Sequence, residues 1–199
     1  MFTGIVQDLG LIENLEKNVD SIDFHISVPI ANNLKIGQSI SHNGICLTLT
    51  DVKNNKYTTT AVEETIQKTT IKNWKKGGYI NLEKSLIYGD AMDGHVVQGH
   101  IDCTAICTKV LKKEAGYYFT FKYPKEFQEL IYQKGSIAIN GVSLTISNII
   151  DENVEFDVAI IPHTYNHTTF KYIKINELVN IEFDPFAKQI KRQISLLQL

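Results

Sequence analysis

The chain has 199 residues, of which 43% are hydrophobic and 10% aromatic, and its formal net charge at pH 7 is -2. That composition suffices for two ordinary hydrophobic cores, as expected of a globular protein. The near-neutral charge argues against a nucleic-acid partner, and the lack of a long apolar run argues against a membrane partner. Because the opening residues MFTGIV carry no basic segment of the kind that starts a secretion signal, we expect a cytoplasmic protein.

The first half alternates short strand-like segments with turn signals. Residues 20–29 place apolar and polar side chains in alternation, which predicts a half-buried strand. Further strands are predicted in four segments, namely 2–15, 37–52, 57–62 and 79–82. Asn43-Gly44 interrupts one of them, either as a hairpin turn or as a bulge where the backbone closely approaches a ligand. A polar stretch, residues 63–73, precedes the last strand.

The second half predicts the same order of elements. Its strand-like segments are 95–110, 117–123, 136–149, 154–161 and 178–183, with a polar stretch at 162–169. About six short strands per half, without long helical patterns, predict an all-β fold of two small closed barrels. After Pro185, four apolar residues recur every three or four positions, which predicts a C-terminal amphipathic α-helix. Because neither barrel offers this apolar stripe a partner, we expect it to contact another chain; the stripe consists of Phe186, Ile190, Ile194 and Leu197.

One sequence motif occurs twice in the chain. NGICLT at residues 43–48 returns as NGVSLT at residues 140–145, 97 positions later, and weaker matches extend upstream at an offset of 95 and downstream at 99. A repeat of nearly one hundred residues has the size of a domain. We therefore predict two homologous domains, residues 1–88 and 89–185, followed by an oligomerisation helix at residues 186–199.

These motifs resemble those of riboflavin synthase of the α-subunit type. The similar segments are MFTGIVQ at the start, NGICLT, GHVVQGHID at 94–102, NGVSLT, and IPHT at 161–164, and the match spans essentially the whole chain. The resemblance implies tandem six-stranded Greek-key barrels, a C-terminal helix, a homotrimer and no cofactor. It also leaves room for an association with lumazine synthase.

The reaction implied by the resemblance is that of a transferase at the last step of riboflavin biosynthesis. Two molecules of 6,7-dimethyl-8-ribityllumazine exchange a four-carbon unit and give riboflavin and 5-amino-6-(D-ribitylamino)uracil. Two similar sites would bind the identical substrates, and differences between the sites would decide which molecule donates the four-carbon unit and which accepts it. The positions at which the halves differ are therefore informative: Cys46 against Ser143, Ile5 against His100, Gly37 against Lys134, and Ser85 against Asp184.

The resemblance also implies a set of substrate-binding residues. One lumazine is expected against Gly4, Ile5, Val6, Cys46, Leu47, Thr48, Thr60, Ala61, Val62 and Thr65, and the set includes Thr3 and Ser39. The other is expected against Gly99, His100, Ile101, Lys134, Ser143, Leu144, Thr145, Ala159, Ile160, Ile161 and Thr164, with Asp184 holding ribityl hydroxyls. Hydroxyls shared by the halves, such as those of Thr48 and Thr145, suit the donors and acceptors of a pteridine edge.

Three residues are predicted to be catalytic, namely Cys46, His100 and Ser143. A strand cysteine is more often a small buried hydrophobe, and a histidine is more often a hydrogen-bonded structural residue. The resemblance instead implies that the Cys46 thiol adds to an electrophilic ring carbon or carries a proton. It further implies that His100 removes a proton from the acidic methyl group on carbon 7 of the substrate.

Two alternatives share this kind of fold. An antenna protein would bind lumazine or flavin without catalysis, but such relatives depart from the motifs above. A flavin-reductase barrel would need a nicotinamide domain, and no G-x-G-x-x-G follows a strand in this chain.

Metal and disulfide chemistry find little support in the sequence. Cys46, Cys103 and Cys107 match neither a disulfide framework nor a zinc knuckle. His163 and His167 have a spacing seen in metal sites, but Pro162 leaves a helical two-histidine face unassured, so we predict no metal.

Overall fold

The computed structural model describes residues 1–197 of the chain. Within this range, twelve strands form two closed barrels, accompanied by three α-helices. The first barrel comprises β1 to β6, in order Asp8–Lys17, Ser21–Ser27, Ser39–His42, Ile45–Lys53, Lys56–Val62 and Tyr79–Lys84. The second comprises β7 to β12, in order Cys103–Lys113, Gly116–Lys122, Ser136–Ile139, Val142–Ile150, Glu155–Ile160 and Leu178–Phe183. The helices α1, α2 and α3 are Glu63–Lys68, Pro162–His167 and Pro185–Leu197.

Both barrels have the same Greek-key strand order. Around the first barrel the neighbours are β1-β2-β5-β4-β3-β6, and β6 closes the ring by pairing with β1. Around the second they are β7-β8-β11-β10-β9-β12, and β12 closes the ring by pairing with β7. All pairings are antiparallel. The predicted fold class, two tandem six-stranded barrels with a C-terminal helix, is confirmed.

The repeated Asn-Gly pairs are hairpin turns. Asn43 and Gly44 have φ angles of 47° and 84°, and Asn140 and Gly141 have 46° and 74°. Positive φ at both central residues is typical of the two-residue turns whose twist matches that of the flanking strands. The hairpin interpretation of Asn43-Gly44 is confirmed, and the bulge interpretation is wrong.

Each barrel encloses its own hydrophobic core. The first is built around Phe24, Ile26 and Leu49, each at most 1% exposed. The second is richer in aromatic rings: Phe119 meets Phe170 edge-to-face at a centroid distance of 5.2 Å. Separate cores are what domain-sized repeats require.

Two predicted strands begin later than expected. The first strand starts at Asp8 rather than residue 2, and β7 starts at Cys103 rather than residue 95. The residues ahead of them form two extended crossing segments, 2–6 and 94–101, that lie between the barrels. The segments pair with each other because Phe2 and Val97 exchange backbone hydrogen bonds of 2.7 and 3.0 Å.

The barrels pack about a pseudo-twofold axis. The Asn81 side chain donates to the Asn140 carbonyl at 2.8 Å, and the equivalent Asn180 side chain donates to the Asn43 carbonyl at 2.9 Å. Each side-chain oxygen also accepts a backbone N–H from the other half. The reciprocal pattern gives both the nitrogen and the oxygen of each buried side-chain amide a partner in the other half, which fixes the orientation of one barrel against the other.

The two hairpin turns touch on this axis. A Cβ on Gly141 would lie 2.6 Å from the Gly44 nitrogen, and one on Gly44 would lie 2.8 Å from the Gly141 nitrogen. Any side chain at either position would push the barrels apart, so the close approach needs glycine.

Helix α3 attaches to the second barrel by charged contacts. Lys188 Nζ lies 2.9 and 3.0 Å from the two carboxylate oxygens of Asp102, and Lys191 lies 3.1 Å from Glu129. Its apolar stripe stays exposed, with Phe186 at 62% and Ile190 at 59%. Ile190 and Ile194 line a shallow cavity with Tyr132 of the second half. The contact of this stripe with another chain stays a prediction, and residues 198 and 199 of the predicted helix lie outside the described part. No helix of residues 1–197 is long and apolar enough to cross a membrane.

Candidate active site

The first-barrel site forms around β4. Cys46 is half-buried and Thr48 exposed, and both project to the same side of the strand. Strand β3 lies beside them, with Ser39 opposite Thr48. The end of β5 and the start of α1 carry the other predicted residues of this barrel, namely Thr60, Ala61, Val62 and Thr65.

The crossing segment 94–101 completes this site. The Cys46 amide donates to the Gly99 carbonyl at 2.9 Å, and Ile101 packs against the core of the first barrel. A Cβ on Gly99 would lie 2.5 Å from the Cys46 Cβ, so only glycine lets the segment approach this closely. His100, whose side chain is exposed, is thereby brought to the Cys46 site although it belongs to the second half.

The second-barrel site repeats this arrangement around β10. The Ser143 amide donates to the Gly4 carbonyl at 2.7 Å, as the Cys46 amide does to Gly99. Val6 packs against the core of the second barrel, and Ile5 is exposed beside it. The end of β11 and the start of α2 carry the remaining predicted residues, namely Ala159, Ile160, Ile161 and Thr164, while Leu144 and Thr145 continue β10.

The predicted grouping of the crossing segments is therefore wrong. Residues 4–6 were expected with Cys46 and residues 99–101 with Ser143, but the hydrogen bonds place each segment on the opposite barrel. The offset of 95 identifies equivalent residues, Ile5 and His100 among them, without saying which barrel they cover. Cys46 and His100 consequently share one site, and Ser143 belongs to the other.

Ser143 has a partner that motif reasoning missed. Its Oγ lies 2.7 Å from Nδ1 of His95, whose backbone N–H is held by the Thr3 carbonyl at 3.0 Å. Burial lowers the pKa of His95, and the negative charge of Asp184 partly opposes that shift. The imidazole is therefore neutral near pH 7, so the pair can take up a proton from a bound molecule. The signal in the sequence was the first histidine of GHVVQGH.

The two charged candidates lie on the second-barrel side. Lys134 is exposed with φ 68°, and its N–H donates to the Ile146 carbonyl at 2.9 Å. Gly37, with φ 85°, donates to the Leu49 carbonyl at the same distance, so the predicted equivalence of Lys134 and Gly37 is confirmed. Asp184 acts on the pKa of His95, which puts its charge near Ser143. Their contacts with substrate stay predictions.

The His163 and His167 pair does form a helical face. Pro162 occupies the first turn of α2, where a proline is tolerated, so the question that the sequence left open is settled in favour of a helix. The rings stack with centroids 4.2 Å apart, and Nδ1 of His167 bonds to the His163 carbonyl at 2.8 Å. Within residues 1–197 no group of three metal-ligating side chains surrounds them.

Comparison with known proteins agrees with this architecture. The lumazine binding domain family matches the chain twice, at residues 3–85 and 98–184. The riboflavin synthase of Buchnera aphidicola subsp. Schizaphis graminum is 39% identical over 208 residues, 99% of each chain. The chain belongs to the riboflavin synthase family. The family's enzyme from Bacillus subtilis is 36% identical over 193 residues, 96% of this chain and 89% of that one.

Solved structures with this fold hold ligands of the same chemistry. LumP complexed with riboflavin superposes with a TM-score of 0.85 at 26% identity, over 92% of this chain and 99% of that one. LumP complexed with 6,7-dimethyl-8-(1'-D-ribityl) lumazine gives a TM-score of 0.83.

Proposed function

We propose that this member of the riboflavin synthase family converts two molecules of 6,7-dimethyl-8-ribityllumazine into riboflavin and 5-amino-6-(D-ribitylamino)uracil. The observation that carries the proposal is a pair of equivalent sites with unequal chemistry. The backbone frames match, with Cys46 and Ser143 each bonded to the glycine carbonyl of a crossing segment. A dismutation needs two such sites, because identical substrates must bind alike and then react differently.

At the first-barrel site, the reactive groups are a thiol and an imidazole. The Cys46 thiol adds reversibly to an electrophilic ring carbon or passes a proton. His100, presented by the crossing segment, removes a proton from the methyl group on carbon 7 of a bound lumazine. Thr48 and Ser39, side by side on β4 and β3, meet the polar edge of the ring.

At the second-barrel site, the reactive group is the Ser143 and His95 pair. Because His95 is neutral near pH 7, it accepts the Ser143 proton when the serine oxygen bonds to the ring. Asp184 stabilises the imidazolium that forms, since its negative charge favours the protonated histidine. Lys134, on the turn before β9, contacts a ring carbonyl, and the Asp184 carboxylate also holds ribityl hydroxyls.

The two sites that react together lie on different subunits of a homotrimer. Within one chain, the crossing segments fill the space between the barrels, and Phe2 and Val97 are 1% and 0% exposed there. The exposed stripe of α3 supplies an apolar surface for assembly. Association with lumazine synthase stays a prediction of the resemblance.

One assay tests this function. The purified protein is mixed with 6,7-dimethyl-8-ribityllumazine, and riboflavin is followed by its absorbance. We expect riboflavin and the pyrimidine product in equal amounts. Tight binding of the lumazine without any riboflavin would instead favour a binding protein, as the LumP complexes represent.

A further inference from the structure

A buried carboxylate holds the segment that presents His100. Glu182 lies on β12 and is 1% exposed. It accepts three consecutive backbone N–H groups of the crossing segment, from Gln98 at 2.7 Å, Gly99 at 2.9 Å and His100 at 3.1 Å. Hydrogen bonds to a charged acceptor are stronger than neutral ones, so these three contacts are a strong part of the attachment of the segment.

The first half contains an equivalent buried glutamate. Glu83 on β6 is 4% exposed and accepts the N–H of Thr3 at 2.7 Å, the Thr3 hydroxyl at 2.8 Å and the N–H of Gly4 at 3.0 Å. Each glutamate therefore holds the segment of its own half, while that segment reaches over the other barrel.

We propose that Glu182 is a positioning residue for the first-barrel site and that Glu83 is the positioning residue for the second-barrel site. The dependence is crossed: a carboxylate in one barrel fixes the geometry of the site on the other. One glycine connects each glutamate with the site on the other barrel. Gly99 donates its N–H to Glu182 and accepts the N–H of Cys46. Gly4 likewise donates its N–H to Glu83 and accepts the N–H of Ser143. The catalytic part of this inference rests on the function proposed above.

The chemistry of the contact requires a carboxylate. Both carboxylate oxygens of Glu182 accept hydrogen bonds from backbone N–H groups. A glutamine at this position would replace one oxygen by an NH2 group, which would point at a backbone N–H and could not accept its hydrogen bond. One or more hydrogen bonds would be lost inside the protein, where an unpaired polar group is costly. Glutamate to glutamine is therefore a small change in volume with a specific effect on the segment.

The residue that follows the first-site segment makes an ion pair that its counterpart in the first half lacks. Asp102 accepts the Phe183 N–H at 2.8 Å and also binds Lys188 of α3. The equivalent residue in the first half is neutral: Gln7 accepts the Lys84 N–H at 3.0 Å. Lys188 therefore joins the helix with the exposed apolar stripe to Asp102, two residues after His100.

Residue-resolved hydrogen exchange in the full chain tests the crossed dependence, with Glu182→Gln and Glu83→Gln as matched variants. In Glu182→Gln we expect the amides of Gly99, His100 and Cys46 to exchange about tenfold faster, with Ser143 unchanged. In Glu83→Gln we expect the reverse, with faster exchange at Thr3, Gly4 and Ser143. Equal acceleration at Cys46 and Ser143 in either variant would mean general loosening and would overturn the proposal.

A third variant tests the contact between α3 and Asp102. Lys188→Met removes a partly exposed ion pair, and we expect about threefold faster exchange at His100 with no change at Ser143. Unchanged exchange at His100 would overturn the role of Lys188.

Turnover is read separately from exchange. Glu182→Gln should lower kcat about tenfold with KM within a few-fold, because ring contacts on β4 and β5 persist. A wild-type chain that forms no riboflavin would sink the proposed function and leave the exchange pattern to decide the positioning role alone.

Discussion

At the scale of residues, the two sites differ in side chains and agree in backbone. The amide of Cys46 and the amide of Ser143 make equivalent hydrogen bonds of 2.9 and 2.7 Å. The difference in chemistry therefore comes from a thiol against a hydroxyl, and from the His95 imidazole bonded to Ser143. In the proposed mechanism, a sulfur nucleophile needs less help from a base than an oxygen nucleophile does, and the histidine hydrogen-bonded to Ser143 would supply that help.

We predict that Cys46→Ala and His100→Ala each lower turnover by about one hundred- to ten-thousand-fold, the usual worth of a positioned proton-transfer group. Lumazine binding should stay within a few-fold, since neither change disturbs the barrel. Steady-state kinetics and fluorescence titration measure the two quantities. Ser41→Ala is the matched control: Ser41 pairs with Cys46 across β3 and β4, and its counterpart is Ala138. Parallel losses of binding and turnover would show structural roles instead.

A second residue-scale prediction concerns a polar pair inside the first barrel. His42 is fully buried, with Nε2 at 2.8 Å from the Tyr57 hydroxyl, and burial lowers its pKa from 6.5 to about 4. The folded state therefore binds this proton less readily than the unfolded state. The stability from neutral His42 is complete above pH 6.5 and falls as the pH drops towards 4, by about 3 kcal/mol in total.

The second barrel supplies the control for that pair, because Ile139 and Phe156 occupy the equivalent positions. A His42→Ile, Tyr57→Phe double variant should lack this acid-dependent loss. Urea unfolding at pH 7.0, 5.5 and 4.5 gives the free energy of unfolding of both proteins. The difference between the two proteins isolates the contribution of the pair, because the other titrating groups contribute equally to both. Parallel stability curves would contradict the assignment.

At the scale of elements, the sequence predicts whatever depends on local pattern. The period-two alternation of residues 20–29 gives β2 at Ser21–Ser27, and the three-to-four spacing after Pro185 gives α3. Asn-Gly between apolar strands gives the hairpins. The polar stretches that form α1 and α2 were not predicted as helices, because six residues show too little periodicity for a pattern to emerge.

Features that depend on contacts between the halves escaped prediction. The crossing segments contain β-branched residues and so resemble strands, but their hydrogen bonds go to a glutamate and to the other barrel. Ser143 and His95 are 48 residues apart in sequence, and they meet where the segment 94–101 begins, beside the residues Thr3 and Gly4 of the other crossing segment. The site residues on each barrel follow from the repeat and the family resemblance, whereas their grouping needed the three-dimensional arrangement.

We propose residue 88 as the end of the first domain, and we predict that a fragment of residues 1–88 folds, since its core is separate from that of the second barrel. It should bind lumazine weakly and form no riboflavin, because it lacks the segment with Gly99 and His100. Circular dichroism, thermal unfolding and fluorescence titration check this against the full chain. An unfolded fragment would contradict the boundary, and turnover at the full rate would contradict the site.

At the scale of the whole molecule, the arrangement of the sites suggests why one chain is not sufficient. Each candidate site is bordered by a segment of the other half, so a single chain carries both candidate sites. The segments also fill the axis between the barrels, where Gly44 and Gly141 are in contact. We therefore propose that the two ring systems, which must stack for a four-carbon transfer, meet across a subunit interface, between the first-barrel site of one chain and the second-barrel site of its neighbour.

Complementation tests this shared site. Cys46→Ala inactivates the first-barrel site and Ser143→Ala the second, so each variant refolded alone should be inactive. When the two are unfolded, mixed in equal amounts and refolded, random assembly gives about a quarter of interfaces with both sites intact, and activity should return to about that fraction of wild type. Refolded wild type is the control for recovery. If both reacting sites belonged to one chain, every chain in the mixture would carry a lesion, and the mixture would stay inactive.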